Sequence, residues 1–190
     1  MSGGTFHVHG PHDHEVEHQA QHGDGFAARI AVMTAILATI GALFAYQAGA
    51  TQNEALLHKN DAAIRKTEAS DQWNYYQAKS NKQNLAELGA ALATGETAER
   101  MKREAQRYQS EKEEIRKAAE KLEAEAKLAN EASDASMHVH HRWAQAMTLM
   151  QVAIALAAIT LLTRKSWMQW GVYACAAGGL AVAGFALAHV

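Results

Sequence analysis

The chain has 190 residues, a formal net charge of -2 and 48% hydrophobic residues, and nearly all of its charge lies outside three apolar stretches. That balance provides no basic footprint for nucleic acid. The single cysteine, Cys175, excludes an intrachain disulfide, and the single proline, Pro11, leaves everything after it free to be helical.

Residues 1–29 form a tail in which "FHVHGPHDHEVEHQAQH" holds six of the eleven histidines. His14, Glu15 and His18 spell H-E-x-x-H, the letters of a zinc-protease helix. The extended form of that motif requires a glycine and a further histidine at fixed spacing, where this chain has Gln21 and Asp24. No folded cleft accompanies the letters, so the residues argue against a protease. Two other roles stay open beside a plain solvated tail. His14, His18 and His22 fall one helical turn apart, with His7, His9 and His12 just before them. Neutral imidazoles at that spacing suit zinc, nickel, copper or cobalt. The same six side chains also titrate near pH ~6.5, which allows a pH-sensitive contact with lipid or another subunit.

Three runs without Asp, Glu, Lys, Arg or His follow: residues 30–50, 143–163 and 167–188. Each has the length of a bilayer-crossing helix, which takes about 20 apolar residues. The first run starts too far from residue 1, and after too acidic a tail, for a signal peptide. The second and third are separated only by Arg164, Lys165 and Ser166, which predicts an antiparallel pair. Trp143, Trp167, Trp170 and Tyr173 stand near the ends of these spans, as interfacial aromatics do.

Residues 51–142 are polar and predict two helical arms turning near 94–97. Gly95 suits a left-handed C-cap, and Thr97 suits the next N-cap with Glu99 in the first turn. In the second arm Met101, Ala105, Tyr108, Lys112, Ile115, Ala119, Leu122, Ala126 and Ala129 form a heptad seam with one charged member. In the first arm the reading places the seam on Leu57, Asn60, Ile64, Thr67, Asp71, Asn74, Ala78, Asn81, Leu85, Leu88 and Leu92. Trp73 and Tyr76 share a helix face that predicts packing between arms or subunits. Arms of nearly equal length, about 65 Å each at ~1.5 Å per residue, return the chain to the membrane it left.

The short loop with Arg164 and Lys165 belongs in the cytoplasm by the positive-inside rule. That places the tail inside and the stalk, the cluster His138, His140 and His141, and His189 outside. This second cluster suits interfacial anchoring, with an interfacial metal or proton site as the alternative. Within the spans, Gly41, Ala45 and Gly49, and Gly171, Cys175, Gly179 and Ala183, recur every four residues. Such small-residue stripes allow helices to approach closely in lipid. Cys175 reads as one of these packing residues. The spans carry no ionisable group, which counts against an ion-coupled carrier.

"HVHGPHDHEVEH", the first span with its flanks "RIAVMTAILATIGALFAYQAGATQNEALL", the stretch "KTEASDQWNYYQAKSNKQNLAEL" and the C-terminal span pair together resemble an uncharacterised family of small bacterial membrane proteins, a domain of unknown function. The resemblance covers essentially the whole chain and implies a three-span protein of the bacterial inner membrane. It implies no activity, cofactor or catalytic residue.

The expectation is an all-α membrane protein: three transmembrane helices with a long extramembrane helical hairpin, coiled-coil-like, between spans one and two. The expected role is a non-enzymatic scaffold that associates with itself and with the lipid bilayer, its stalk offered to envelope proteins. The alternative is an oligomeric ion channel or divalent-metal handler using His7, His9, His12, His14, His18 and His22, with His138, His140 and His141.

Overall fold

In the computed structural model, residues 25–188 are described and form three α-helices, with no strand among them. The histidines of the tail and His189 lie outside the described residues. Helix α1 spans Gly25–Leu92 and α2 spans Glu96–Thr163, each 68 residues long; α3 spans Met168–Leu187. Proline-free sequence lets α1 and α2 run without interruption from apolar into charged sequence. Each of the three helices contains a stretch long and apolar enough to cross a membrane by length and composition.

Two units divide the chain: residues 1–48 with 141–190, and residues 49–140. The first unit gathers the apolar part of each helix. Its buried residues on α1 are Ile30, Leu37, Gly41, Phe44 and Ala48, and on α2 they are Trp143, Ala146, Met150, Ala153, Ala157 and Thr160. Both sets repeat by threes and fours, the spacing of one helix face. From α3 come Val172, Gly179, Ala183 and Ala186. Phe44 and Trp143 meet with ring centroids 5.5 Å apart. Large apolar side chains such as Val32, Ile36, Leu43, Leu162 and Leu180 stay exposed, an outward apolar surface that lipid would cover.

The described threonine hydroxyls of this unit bond within their own helices. The five described threonines, Thr34, Thr39, Thr148, Thr160 and Thr163, donate to the carbonyl four residues earlier in their own helix. A hydroxyl without water must find such a partner, and the preceding turn supplies it. The connection from α2 to α3 turns at Arg164, whose φ of 55° is left-handed and whose N–H bonds back to the Thr160 carbonyl. That is the arrangement that ends many helices.

In the second unit α1 and α2 pair through contacts that step in opposite chain directions. Met101 Sδ lies against Gly89, Lys79 binds Glu111, Arg65 lies 3.4 Å from Glu125, and Ser133 Oγ donates to the Ala55 carbonyl over 2.8 Å. Gly95, with φ 63°, makes the reversal and accepts from the Glu99 N–H. Gly95 is thus both the left-handed residue and the last one before α2. Thr97, expected as the N-cap, lies inside the first turn instead, because the glycine hands over directly to Glu96.

The second-arm seam appears as the sequence predicts: Ala105, Ile115 and Ala119 are buried, and Met101, Tyr108, Lys112, Leu122, Ala126 and Ala129 are half-buried. The first-arm seam is elsewhere. Ala55, Ala62, Ala69 and Ala86 are buried, with His58, Arg65, Gln72, Tyr76, Lys79, Gln83 and Ala90 completing the same seven-residue repeat. The expected members Leu57, Ile64, Leu85, Leu88 and Leu92 are 61%, 56%, 68%, 57% and 78% exposed. The seam is displaced by two residues, about 200° around the helix. Alanine wins the inner face because small side chains let the arms approach closely enough for Tyr76, Tyr108 and Ile115 to fill the space between them.

Candidate functional site

The side chains with most chemical potential converge halfway along the second unit. Tyr75, Tyr76 and Lys79 lie within about one turn of α1. Tyr108, Glu111 and Lys112 do the same on α2. Tyr76, Lys79, Tyr108 and Lys112 occupy repeat positions of the two seams, so the antiparallel contacts bring them together. Lys79 Nζ donates to Glu111 Oε2 and stands 5.2 Å from the centre of the Tyr75 ring and 5.5 Å from that of Tyr108. Lys112 Nζ donates to Ser80 Oγ over 2.9 Å and stands 5.2 Å from the Tyr76 ring. Each ammonium thus has one oxygen acceptor and at least one aromatic face, which is how a cation is accommodated away from bulk water. Tyr76 in turn meets Trp73 edge-on at 5.6 Å, and Trp73 Nε1 donates to Glu123 Oε1 over 2.9 Å.

The hydrogen bond from Lys79 holds the Glu111 carboxyl below the usual carboxylate range, and the bond to Glu111, then that to Tyr75, holds Lys79 above its ordinary value. The signs fix the pH window. A depressed carboxyl contributes stability that is complete above its unfolded value and is lost as pH falls through its folded value. A raised lysine contributes stability that is complete below its unfolded value and is lost as pH rises through its folded one. The pairing of the arms should therefore hold steady across neutral pH and weaken at both ends. Thermal melts of the full chain, followed by circular dichroism at stepped pH, check this. In Lys79→Met the acid limb should become shallower, because Glu111 loses the main donor that sets its folded carboxyl below its unfolded one; an acid limb of unchanged depth would refute the assignment.

Beside this layer a groove of about 1000 Å³ opens where Ala62, Ala69 and Ala126 leave space between the arms. Lysines 59, 66 and 127 and the acids Glu123 and Glu131 rim it. Two bonds cross the arms at its rim: Lys59 Nζ donates to Asn130 Oδ1 over 2.6 Å, and Trp73 reaches Glu123.

Of the residues singled out from the sequence, His138 and His141 are exposed and His140 is half-buried. Among the described residues no three His, Cys, Asp or Glu side chains come together in a group able to hold a metal ion. The tail histidines 7, 9, 12, 14, 18 and 22 fall outside the described residues. In the spans, Gly41 faces Met150, and Gly179 lies against Ala146, Leu149 and Met150. Gly171 packs near Leu156, Cys175 is half-buried and Ala183 is buried. Ala45 and Gly49 are exposed. The pairing of Lys79 with Glu111 is not evident from the sequence; of the layer around it, Tyr76, Tyr108 and Lys112 stand out there, the first on a packing face and the other two in the second-arm seam.

Residues 26–189 match the family described as DUF4337, a domain of unknown function. No curated protein and no solved structure matches the chain. The chain belongs to the DUF4337 family.

Proposed function

We propose that the chain is a non-enzymatic, self-associating integral membrane scaffold of the bacterial inner membrane, with its charged arms forming a coiled-coil stalk outside the bilayer. The observation that carries this reading is the composition of the second unit's core. Its buried apolar residues are Ala55, Ala62, Ala69, Ala86, Ala105, Ile115 and Ala119, so only one is larger than alanine. A buried methyl contributes about 0.8 kcal/mol, so six alanines contribute about 5 kcal/mol. Ordering a chain costs about 1.5 kcal/mol per residue before such gains. Two arms with so thin a core gain most from further helices, and a homo-oligomer supplies them.

Between the arms Lys79 pairs with Glu111 and Arg65 with Glu125, as in a structural layer. The loop at Arg164 and Lys165 favours a cytoplasmic position, which sets the tail inside and the stalk in the periplasm. Envelope proteins are the natural partners of a stalk so placed.

The test is the mass of the full chain purified in detergent or nanodiscs, with elemental analysis. The expected result is a defined multiple of the 20.6 kDa protomer, unchanged when His7, His9, His12, His14, His18 and His22 are replaced by alanine, and no stoichiometric metal. A chain that is soluble without detergent, or monomeric in lipid, overturns the reading. Metal lost together with assembly in the histidine variant would favour the channel or metal-handling alternative.

A further inference from the structure

The face of α1 turned away from α2 follows a seven-residue repeat of its own. Leu57, Ile64, Leu85, Leu88 and Leu92 are its exposed apolar members, and Asn60, Asn74 and Asn81 are its polar ones. A helix face meant for water is normally rich in Lys and Glu. Here the arm's basic residues, Lys59, Arg65, Lys66, Lys79 and Lys82, all lie off the stripe, and Asp71 is its single charged member. Apart from Asp71, charge is kept off a face that its own hairpin partner does not cover.

We infer that this stripe is the seam by which a second copy of the chain docks on α1, parallel and in register. This deepens the self-association proposed above and rests on it.

The asparagines specify the occupant. A primary amide both donates and accepts, so it can pair with its own counterpart across a two-fold axis, which an ammonium or a carboxylate cannot do. Asparagine at recurring seam positions selects register and partner number at some cost in stability. Parallel copies place Asn60, Asn74 and Asn81 each opposite itself, whereas an antiparallel pairing can oppose at most one of them to itself. Copies rooted in one bilayer also run in the same direction.

The size is adequate. From Leu57 to Leu92 the stripe extends about 53 Å at ~1.5 Å per residue, and with a helix width of about 10 Å it covers on the order of 500 Å² of each copy. The total, on the order of 1,000 Å², reaches the threshold for a specific interface. Asp71 is the one misfit, since a second copy sets like charges together there.

The test uses the full chain in lipid nanodiscs with Cys175→Ser as background. Single cysteines are introduced as Asn60→Cys, Asn81→Cys and Leu88→Cys on the stripe, and as Lys66→Cys on an exposed position off it. Oxidation with copper phenanthroline should convert the three stripe variants to disulfide dimers at least fivefold faster than Lys66→Cys. In addition, Asp71→Asn should lower the concentration at which the chain dimerises, and the pair Leu85→Glu and Leu88→Glu should raise it at least tenfold with helicity unchanged. A chain that stays oligomeric while the stripe cysteines fail to cross-link overturns this seam and leaves self-association standing. A monomeric chain overturns both. Cross-links that appear only between Ile64→Cys and Leu85→Cys mixtures would show an antiparallel pairing and refute the parallel register.

Discussion

Replacing Met150 with alanine should weaken the packing of the first unit by about 2 kcal/mol, read as an earlier midpoint when the chain is unfolded with dodecyl sulfate in mixed micelles. Met150 is fully buried. Its Cβ lies 3.5 Å from the position a Cβ on Gly41 would take, and its Cε lies 3.1 Å from the corresponding position on Gly179. Two glycines, one on α1 and one on α3, therefore make room for one methionine of α2. In water, Met→Ala in a core costs about 2–5 kcal/mol, part of it the lost transfer from water. In the bilayer proposed above, lipid would remove that part, since the unpacked side chain would face hydrocarbon anyway. What remains is the cavity contribution, ~24 cal/mol per Å³, which for three lost heavy atoms is about 2 kcal/mol. Met150→Leu keeps the volume and should cost under about 1.5 kcal/mol. Equal midpoints for Met150→Ala and the parent chain would show that the methionine is not the wedge that the two glycines accommodate.

The coarse architecture was legible because its signals are large. Three charge-free runs, one proline ahead of them and one glycine between equal arms leave few alternatives to three helices. The second-arm seam was legible for a similar reason, since Tyr108, Ile115 and Leu122 stand out against Glu and Lys. The first-arm seam was not. There the large apolar residues, from Leu57 to Leu92, occupy the outer face, and the inner face is marked only by alanines and by Tyr76. A reading that weights size assigns the seam to leucine; the helices choose alanine, because close approach brings the aromatic residues of both arms into one layer.

The same two-residue displacement hid the polar layer. Lys79 looks like a solvated lysine when the seam is placed on Ala78 and Asn81. On the observed face it points at Tyr108 and Glu111, and the charge at Lys112 becomes half of a pattern instead of an interruption. Of the small-residue stripes, Gly179 and Ala183 are buried and Gly41 lies opposite Met150. Ala45 and Gly49 show that four-residue spacing alone does not say which part of a stripe meets a neighbour. The buried face of α1 continues from Gly41 through Phe44 to Ala48, which leaves Ala45 and Gly49 on the outward side.

The largest disruption expected from one added side chain is Gly179→Leu. A Cβ at residue 179 would stand 3.1 Å from Met150 Cε, 3.2 Å from the Ala146 carbonyl oxygen and 3.4 Å from Leu149 Cβ. The methionine tip can swing away at little cost. The Ala146 oxygen cannot, because it belongs to the hydrogen-bonded backbone of α2. A single methyl therefore already forces α3 outward by a few tenths of an ångström, and a leucine must displace it by much more. Overpacking of this kind costs about 1–3 kcal/mol and occasionally exceeds that. The upper end applies here, because the same contact also holds Met150 in place. Gly184 is the internal control. It lies five residues further along the same helix, and a Cβ there meets nothing within 4 Å. Gly184→Ala should leave the unfolding midpoint unchanged or raise it, since replacing glycine in a helix interior with alanine gains about 0.5–1 kcal/mol. Gly178→Ala, which meets only Leu149 Cδ1 at an ordinary 3.7 Å, should fall between the two. The order Gly184→Ala, Gly178→Ala, Gly179→Leu, from most to least stable in mixed micelles, tests whether α3 docks on α2 through the Gly179 face. A Gly179→Leu chain as stable as Gly184→Ala would mean that α3 meets α2 through some other face.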